Sequence, residues 1–376
     1  MRSLSKLQVS LKYLEENVHL LDEMVGKHKK ILPMLKAEAY GHGAIPLAKK
    51  ILEMNLHHKN LLEGLGFATV FEAYNIREHL EVCDTNLYVF SELLLQEKKE
   101  WYEQWGLIPV LSNMEDLKFF LTDKKFAALP LVLKMNSGMN RLGFDVSDQE
   151  EIITLLKKHN RRTIYHLMSH FACSYVHSHP SVNQQISVME NVKDNFYKAQ
   201  ISVEHFSFSN SGAIEQKTQI DDETVVRPGI MLYGPSSVDK KFSYWRGKVI
   251  SALQTSVLDI RKVKKGEGFG YGLHHAPEEG FLLILPLGYA DGIQFNFNGF
   301  PLKIEDVQVK FLTRPSMDLC YLWTESDKVK HWKNKKISLW DHSNDNLQLL
   351  SDHNQTITYQ ILTAISSRVP RDYVLE

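Results

Sequence analysis

The chain has 376 residues, 43% hydrophobic and 24% charged, with 44 basic and 45 acidic residues and a formal net charge of −1. This is globular composition, long enough for about two domains, with no charge excess that would suit a nucleic acid or a membrane surface as partner. The three cysteines, Cys83, Cys173 and Cys320, are too few and scattered for a disulfide framework and suit a reducing cytoplasm.

The basic start, MRSLSKLQVSLKYLEENVHLL, lacks the continuous apolar stretch and small-residue cleavage site of a secretory signal. No run approaches the roughly 18 apolar residues of a membrane span. Eight short apolar runs then read as strands: ILPML (31–35), LGFATV (65–70), NLYVF (86–90), GLIPVL (106–111), LPLVLKM (129–135), IYHLMSHF (164–171), HFSFSNS (205–211) and VVRPGIMLYG (225–234). Each is shorter than a full helix and rich in β-branched, leucine or aromatic residues. Helix-like segments separate them: AIPLAKKILEMN, VFEAYNIREHLE, SELLLQEKKEWYEQW, SNMEDLKFFLTDKKF, SDQEEIITLLKKHN and SVNQQISVMENVKDNFYKAQ. Several open on a serine suited to an N-cap, and SNME and SDQE place Glu three residues later, as a capping box does. The alternation predicts an α/β domain, a parallel (β/α)8 TIM-like barrel over 1–237. It also permits a doubly wound open sheet, which the count of eight disfavours. After YGPSS (233–237), strand-like runs such as GKVISALQTSVLDI, GFLLILPLGYA and LKIEDVQVKFL alternate with Gly-rich turns. A second, mainly β domain is expected over 238–376.

A lysine is rarely buried unless it is paired or chemically employed, yet Lys36 ends the apolar run ILPML. In a parallel barrel the chemistry sits where strands end. Lys134 and Arg141 follow the fifth run, His170 ends the sixth, Asn210 and Ser211 end the seventh, and Arg227, Gly229 and Ile230 lie around the eighth. Singly, each has a plainer reading as a core histidine, a surface charge or a turn. Their repeated placement at strand ends argues for one site. Desolvation and neighbouring cations lower an amine's pKa, so that it can act as a nucleophile or base. The backbone N–H groups of SNSG and RPGI suit a phosphate cradle. A lysine beside such a cradle points to pyridoxal 5'-phosphate, an electron sink for α-carbanions. The histidines of HSHP (177–180) and LHHAP (273–277) have no companion ligands with convincing spacing, so no metal is expected.

The stretch MLKAEAYGHGA (34–44) resembles the cofactor-lysine motif of the alanine racemases, enzymes with an N-terminal barrel and a C-terminal β domain. The resemblance continues in order through LKMNSGMNRLGF (133–144), SHFA (169–172), SNSGA (209–213), VVRPGIMLYG (225–234), GYG (270–272), LGYADG (287–292), RPSMD (314–318) and ITYQILTAISSRVPR (357–371). It implies a cytoplasmic homodimer with shared active sites that interconverts L- and D-alanine and supplies D-alanine for peptidoglycan. Lys36 would hold the cofactor and act as one acid/base, with Tyr271 as the opposing base from the other subunit. Tyr40, Ser211, Gly229, Ile230 and, by its place in the same loop, Tyr233 would hold the phosphate. Arg227 would face the pyridine nitrogen, His170 would lie near the ring, and Asn210 would belong to the cofactor site. Arg141 and the backbone N–H of Met317 would bind the substrate carboxylate, and Tyr289 would line the entry. Lys134 matches a lysine that is carbamylated in many members.

The chain departs from the family pattern in places. Asn136 stands where an acidic residue is common, Ser316 replaces a common cysteine, arginines are missing after GYADG, and Ser367 falls where some members place a tyrosine. The last two bear on substrate range. A racemase preferring serine or a larger side chain, a non-catalytic cofactor-binding homologue and a decarboxylase on a similar barrel are the competing readings. Tyr271 disfavours a pure binder, which needs no second base.

Overall fold

The computed structural model describes residues 3–26, 28–57, 61–80, 84–218, 220–239, 241–342 and 345–375. Cys83 lies outside the described residues, as does Glu81 at the end of one expected helix. The chain forms two compact units, one of residues 14–39 and 44–247, the other of 1–13, 40–43 and 248–376.

The first unit is an eight-stranded parallel barrel. Numbered along the chain after the N-terminal strand β1 (Lys6–Ser10), its strands are β2 (Lys30–Ile31), β3 (Leu65–Thr69), β4 (Leu87–Glu92), β5 (Leu107–Leu111), β6 (Val132–Lys134), β7 (Thr163–Met168), β8 (Ser202–Ser207) and β9 (Val225–Val226). They are ordered β2-β9-β8-β7-β6-β5-β4-β3. Parallel bridges Ile31–Leu62 and Met34–Gly66 join β2 to the approach of β3, so the sheet closes. Strands covered on both faces read as continuous apolar runs, which is why all eight are visible in the sequence. Leu32, Tyr88, Ile108, Val110, Val132, Met168 and Val225 form one buried cluster of its core.

Several runs are shorter as strands than their apolar lengths suggest. Pro33, Pro130 and Pro228 interrupt ILPML, LPLVLKM and VVRPGIMLYG, because proline has no N–H to give to a ladder. Beyond Pro228 the chain coils into a 3-10 turn, Ile230–Tyr233. In SELLLQEKKEWYEQW only Lys99–Trp105 is helical, and its first residues complete β4. The caps also move. Asn113, not Ser112, caps the helix Met114–Thr122, and Asp145 with Asp148 makes the box ahead of Gln149–Lys158.

In the second unit β1 lies between β10 (Ser251–Ser256), antiparallel to it, and β19 (Arg371–Val374), parallel to it. Strand β10 also pairs with β18 (Lys336–Trp340). A five-stranded sheet runs β11 (Asp259–Val263), β14 (Gly280–Leu285), β17 (Cys320–Thr324), β16 (Val307–Phe311), β15 (Pro301–Ile304), and β12 (Gly268–Phe269) pairs with β13 (His274–His275) as a hairpin. Short helices, Asn346–His353 and Thr358–Ala364, occupy the final stretch. The unit is mainly β. The N-terminal stretch supplies β1 and continues into the helix Leu11–Val25, most of which belongs to the first unit. Among the described residues no helix is long and apolar enough to cross a membrane.

Candidate active site

Lys36 opens a helical turn of unusual hand. Ala37, Glu38, Ala39 and Tyr40 all have φ between 50° and 55°, and Gly41 follows at 85°. Left-handed backbone costs an L-residue roughly 1–2 kcal/mol, so four in a row store several kcal/mol and persist only where contacts over-determine them. The contacts are present. Ala39 N–H donates to Leu35 O at 2.9 Å and Leu35 N–H to Gly66 O at 2.8 Å. The Glu38 carboxylate accepts from Ala44 N–H at 3.1 Å. The Tyr233 hydroxyl, fully buried, donates to Met34 O at 2.8 Å, just before Lys36. Gly41 is obligatory for a second reason, since a Cβ there would lie 2.4 Å from Leu362 O.

Around Lys36 the strand ends gather charge of one sign. Burial, then Arg141, lower the Lys36 amine's pKa, with Glu72 opposing. Lys134, the last residue of β6 and buried, is pushed down to about 8 by burial, then by Arg227, Arg141 and Lys36. His170 is held well below the usual imidazole range by burial first and then by Arg227, Arg141, Lys134 and Lys36, so its ring is neutral at pH 7. Arg227, buried beyond β9, is lowered to about 10 by burial, with Glu223 opposing, and stays charged at neutral pH. Its guanidinium donates to the Ser207 hydroxyl and to the carbonyls of Ser169 and Phe208. The structure therefore brings Lys36, Lys134, Arg141, His170 and Arg227 into mutual influence.

Beside them, Asn210 caps the helix Ser211–Glu215, its side-chain oxygen accepting from Ala213 N–H at 3.2 Å and from Ser174 Oγ at 2.6 Å. The Ser211 hydroxyl accepts from Gly229 N–H at 3.0 Å. Ile230 and Ser211 each open a helical turn, where the first N–H groups have no partner within the turn. Arg141 rides on the loop after β6. Asn136 organises that loop: its oxygen accepts from Gly138 N–H and Asn140 N–H, and its amide donates to Asn140 Oδ1 and Asp145 Oδ1, both at 2.9 Å.

The remaining expected residues belong to the second unit. Tyr40 is buried against Tyr359, and burial raises its hydroxyl's pKa. Tyr271 stands at the tip of the β12–β13 hairpin, 87% exposed. Tyr289 packs edge-on to Phe295. The Met317 carbonyl accepts from Ala290 N–H at 3.1 Å, and a Cβ on Gly288 would lie 2.1 Å from that same oxygen, so glycine permits the two loops to meet. Of the other histidines singled out, His177 stacks on Phe242, His179 caps the helix Pro180–Lys198, and His274 and His275 form β13.

Two carboxylates escaped the sequence reading. Glu223 accepts from Phe208 N–H, Ser209 N–H, the Ser209 hydroxyl and Lys29, fixing the turn before Asn210. Glu72 accepts the N–H of Ala37. The one signal available was the ATVFE pattern, which reads as an ordinary helix start.

Comparison with known proteins decides the family. The model described as "Alanine racemase, N-terminal domain" matches residues 9–237, and "Alanine racemase, C-terminal domain" matches residues 250–373. The chain belongs to the alanine racemase family. Family members are pyridoxal-phosphate-dependent isomerases. An alanine racemase of Borreliella burgdorferi is 27% identical over 97% of this chain and 96% of its own. The structure of the alanine racemase of Streptomyces coelicolor A3(2) superposes with a TM-score of 0.89 at 26% identity, covering 99% of this chain and 98% of its own. The Bartonella henselae alanine racemase, solved with covalently bound pyridoxal phosphate, shares the fold at 23% identity, with a TM-score of 0.85 over 99% of this chain and 100% of its own.

Proposed function

We propose that this chain is a pyridoxal-phosphate-dependent racemase that interconverts L- and D-alanine in the cytoplasm, supplying D-alanine for peptidoglycan. The observation that carries the reading is the cluster at the strand ends, where a lysine of lowered pKa shares its surroundings with Arg141 and Arg227. Such a concentration of positive charge, with Arg227 buried, Lys36 half-buried and Arg141 exposed, fits an anionic ligand with a phosphate and a carboxylate. Lys36 is the attachment point. The Ser211 hydroxyl, the N–H groups of Gly229 and Ile230, and Tyr40 hold the phosphate, with Tyr233 and Asn210 supporting that wall. Bound there, the cofactor supplies the electron sink that acidifies the substrate's α-C–H.

The chain's own residues do the rest. Arg141 and Met317 N–H bind the substrate carboxylate, and Tyr289 lines the entry. Lys36 and Tyr271 take or return the α-proton on opposite faces, so the substrate need not turn over. Arg227, charged at neutral pH, faces the pyridine nitrogen as a donor. His170, neutral, lies beside it. The reading divides the chain at 237/238 and has the C-terminal part lend Tyr271 to the partner subunit of a homodimer. An 87% exposed tyrosine at a hairpin tip supports that assignment. With its pKa lowered to about 8, the Lys134 amine has a neutral fraction near pH 7 that adds CO2 as a carbamate, releasing one proton and exchanging its positive charge for a negative one.

The test incubates the purified chain with single L-amino acids and assays each D-enantiomer, then traps the cofactor with borohydride and maps the labelled peptide. D-alanine formation with the label on Lys36 is expected. A label on another lysine, or no D-enantiomer from any amino acid, refutes the reading.

A further inference from the structure

The left-handed turn after Lys36 has its first N–H held by a carboxylate that the mechanism does not use. Glu72 lies on the helix Val70–His79, which follows β3, whereas Lys36 follows β2. One carboxylate oxygen, Oε1, accepts from Ala37 N–H at 2.7 Å. The other, Oε2, accepts from Ala68 N–H at 2.8 Å and Thr69 N–H at 3.2 Å. The Glu72 N–H in turn donates to Thr69 Oγ1 at 3.1 Å, completing a capping box. A carboxylate in a capping box ordinarily serves its own helix. This one also reaches the residue next to Lys36, and its charge opposes the effect of Arg141 on the Lys36 amine.

We infer that Glu72 is a positioning residue for Lys36: it clamps the left-handed turn at its first N–H and supplies the lysine's counter-charge. The inference rests on Lys36 being the cofactor's attachment point. An amide cannot replace the carboxylate. Glutamine has one acceptor oxygen, so it can satisfy Ala37 or the Ala68–Thr69 pair but not both, and its NH2 would face the remaining N–H groups. Thr69 provides the control, because its hydroxyl supports the helix start without touching Ala37.

The test compares the full chain with Glu72→Gln and Thr69→Ala. The first readout needs no cofactor: reductive methylation of Lys36 in the cofactor-free chain is followed against pH by peptide mass spectrometry. The second is the affinity for pyridoxal phosphate, read from its absorbance. Loss of the counter-charge should move the Lys36 midpoint in Glu72→Gln down by about 0.5 pH. Loss of the clamp should weaken pyridoxal phosphate binding about tenfold. Thr69→Ala should lower the melting temperature and leave both readouts at the wild-type value. A Glu72→Gln chain with wild-type midpoint and affinity overturns the inference. So does a Thr69→Ala chain that reproduces the Glu72→Gln losses, since the helix cap would then explain them. If the wild-type chain fails to take up pyridoxal phosphate at Lys36, the functional reading falls, while the cofactor-free midpoints still judge Glu72.

Discussion

Replacing Ala37 by glycine should stabilise the protein, against the usual expectation for an alanine in a helical turn. Ala37 is exposed and sits at φ 52°, so its methyl costs backbone energy without burying apolar surface in return. Relief of the left-handed penalty is worth about 1–2 kcal/mol. Glycine's extra freedom in the unfolded chain takes back about 0.4–1 kcal/mol. The net runs from about 0 to 1.6 kcal/mol, centred near 0.8 kcal/mol in favour of Ala37→Gly. Ala127 provides the opposite case. It is exposed, ends a 3-10 turn at φ −57°, and should lose about 0.5–1 kcal/mol as glycine. Urea denaturation followed by far-UV circular dichroism measures both. The barrel unit's midpoint should rise by about 0.2 M in Ala37→Gly and fall by a similar amount in Ala127→Gly. Equal destabilisation by the two substitutions would show that the turn is not held in the left-handed region, and the strain argument would fail with it.

Two further outcomes follow from the same strand ends. Asn136→Asp puts a carboxylate against Asp145 where an amide now donates to it, so the Arg141 loop should loosen and KM for alanine should rise about five- to tenfold with kcat changed less; Asp145→Asn in the same chain should restore KM, and failure of that rescue would remove Asn136 from the positioning of Arg141. Lys134 has a folded-state pKa near 8 against 10.5 for the free side chain, so between those values the unfolded chain binds more protons and stability gains from rising pH, by at most about 1.4 kcal/mol per pH unit. Wild type should therefore gain stability over Lys134→Met between pH 8 and 9.5 in CO2-free buffer, as read from denaturation midpoints, and parallel pH profiles for the two chains would refute the assignment.

The barrel was legible because strands buried on both faces need no alternation and stand out as apolar runs between amphipathic helices. Their ends were less so, since prolines inside the runs cut the ladders short. Strand β1 was not legible at all. Its partners β10 and β19 lie more than two hundred residues away, and no local pattern announces a pairing of that range. The same division holds at the site. Lys36, Lys134, His170, Ser211 and Arg227 sit at strand ends, so a topological rule collects them. The left-handed turn escapes such a rule because Ala, Glu, Ala and Tyr carry no preference for positive φ. It is held by Glu72 and Gly66, partners that only the folded sheet brings beside it.

Strain and charge accumulate at the same end of the barrel, and one cause explains both. Lys36, Lys134, Arg141 and Arg227 crowd positive charge into a partly desolvated place, with Glu72 and Glu223 as the acidic groups that act on Lys36 and Arg227. Each depressed pKa is a free energy that folding has spent against the charged form. A chain selected for stability alone would place carboxylates there or replace the lysines with apolar residues. The neutral His170 relieves part of the excess by declining a proton that an exposed histidine would take near pH 6.5. What remains unbalanced is the affinity available to an anion. A phosphate with a charge of about −1.5 to −2 and a substrate carboxylate would together offset most of the excess, so binding should stabilise the fold as it fills the site. The left-handed turn belongs to the same end of the barrel, because it directs Lys36 from the strand end with no flexible linker, and the strain it stores is held by the Glu72 and Tyr233 contacts on either side of that lysine.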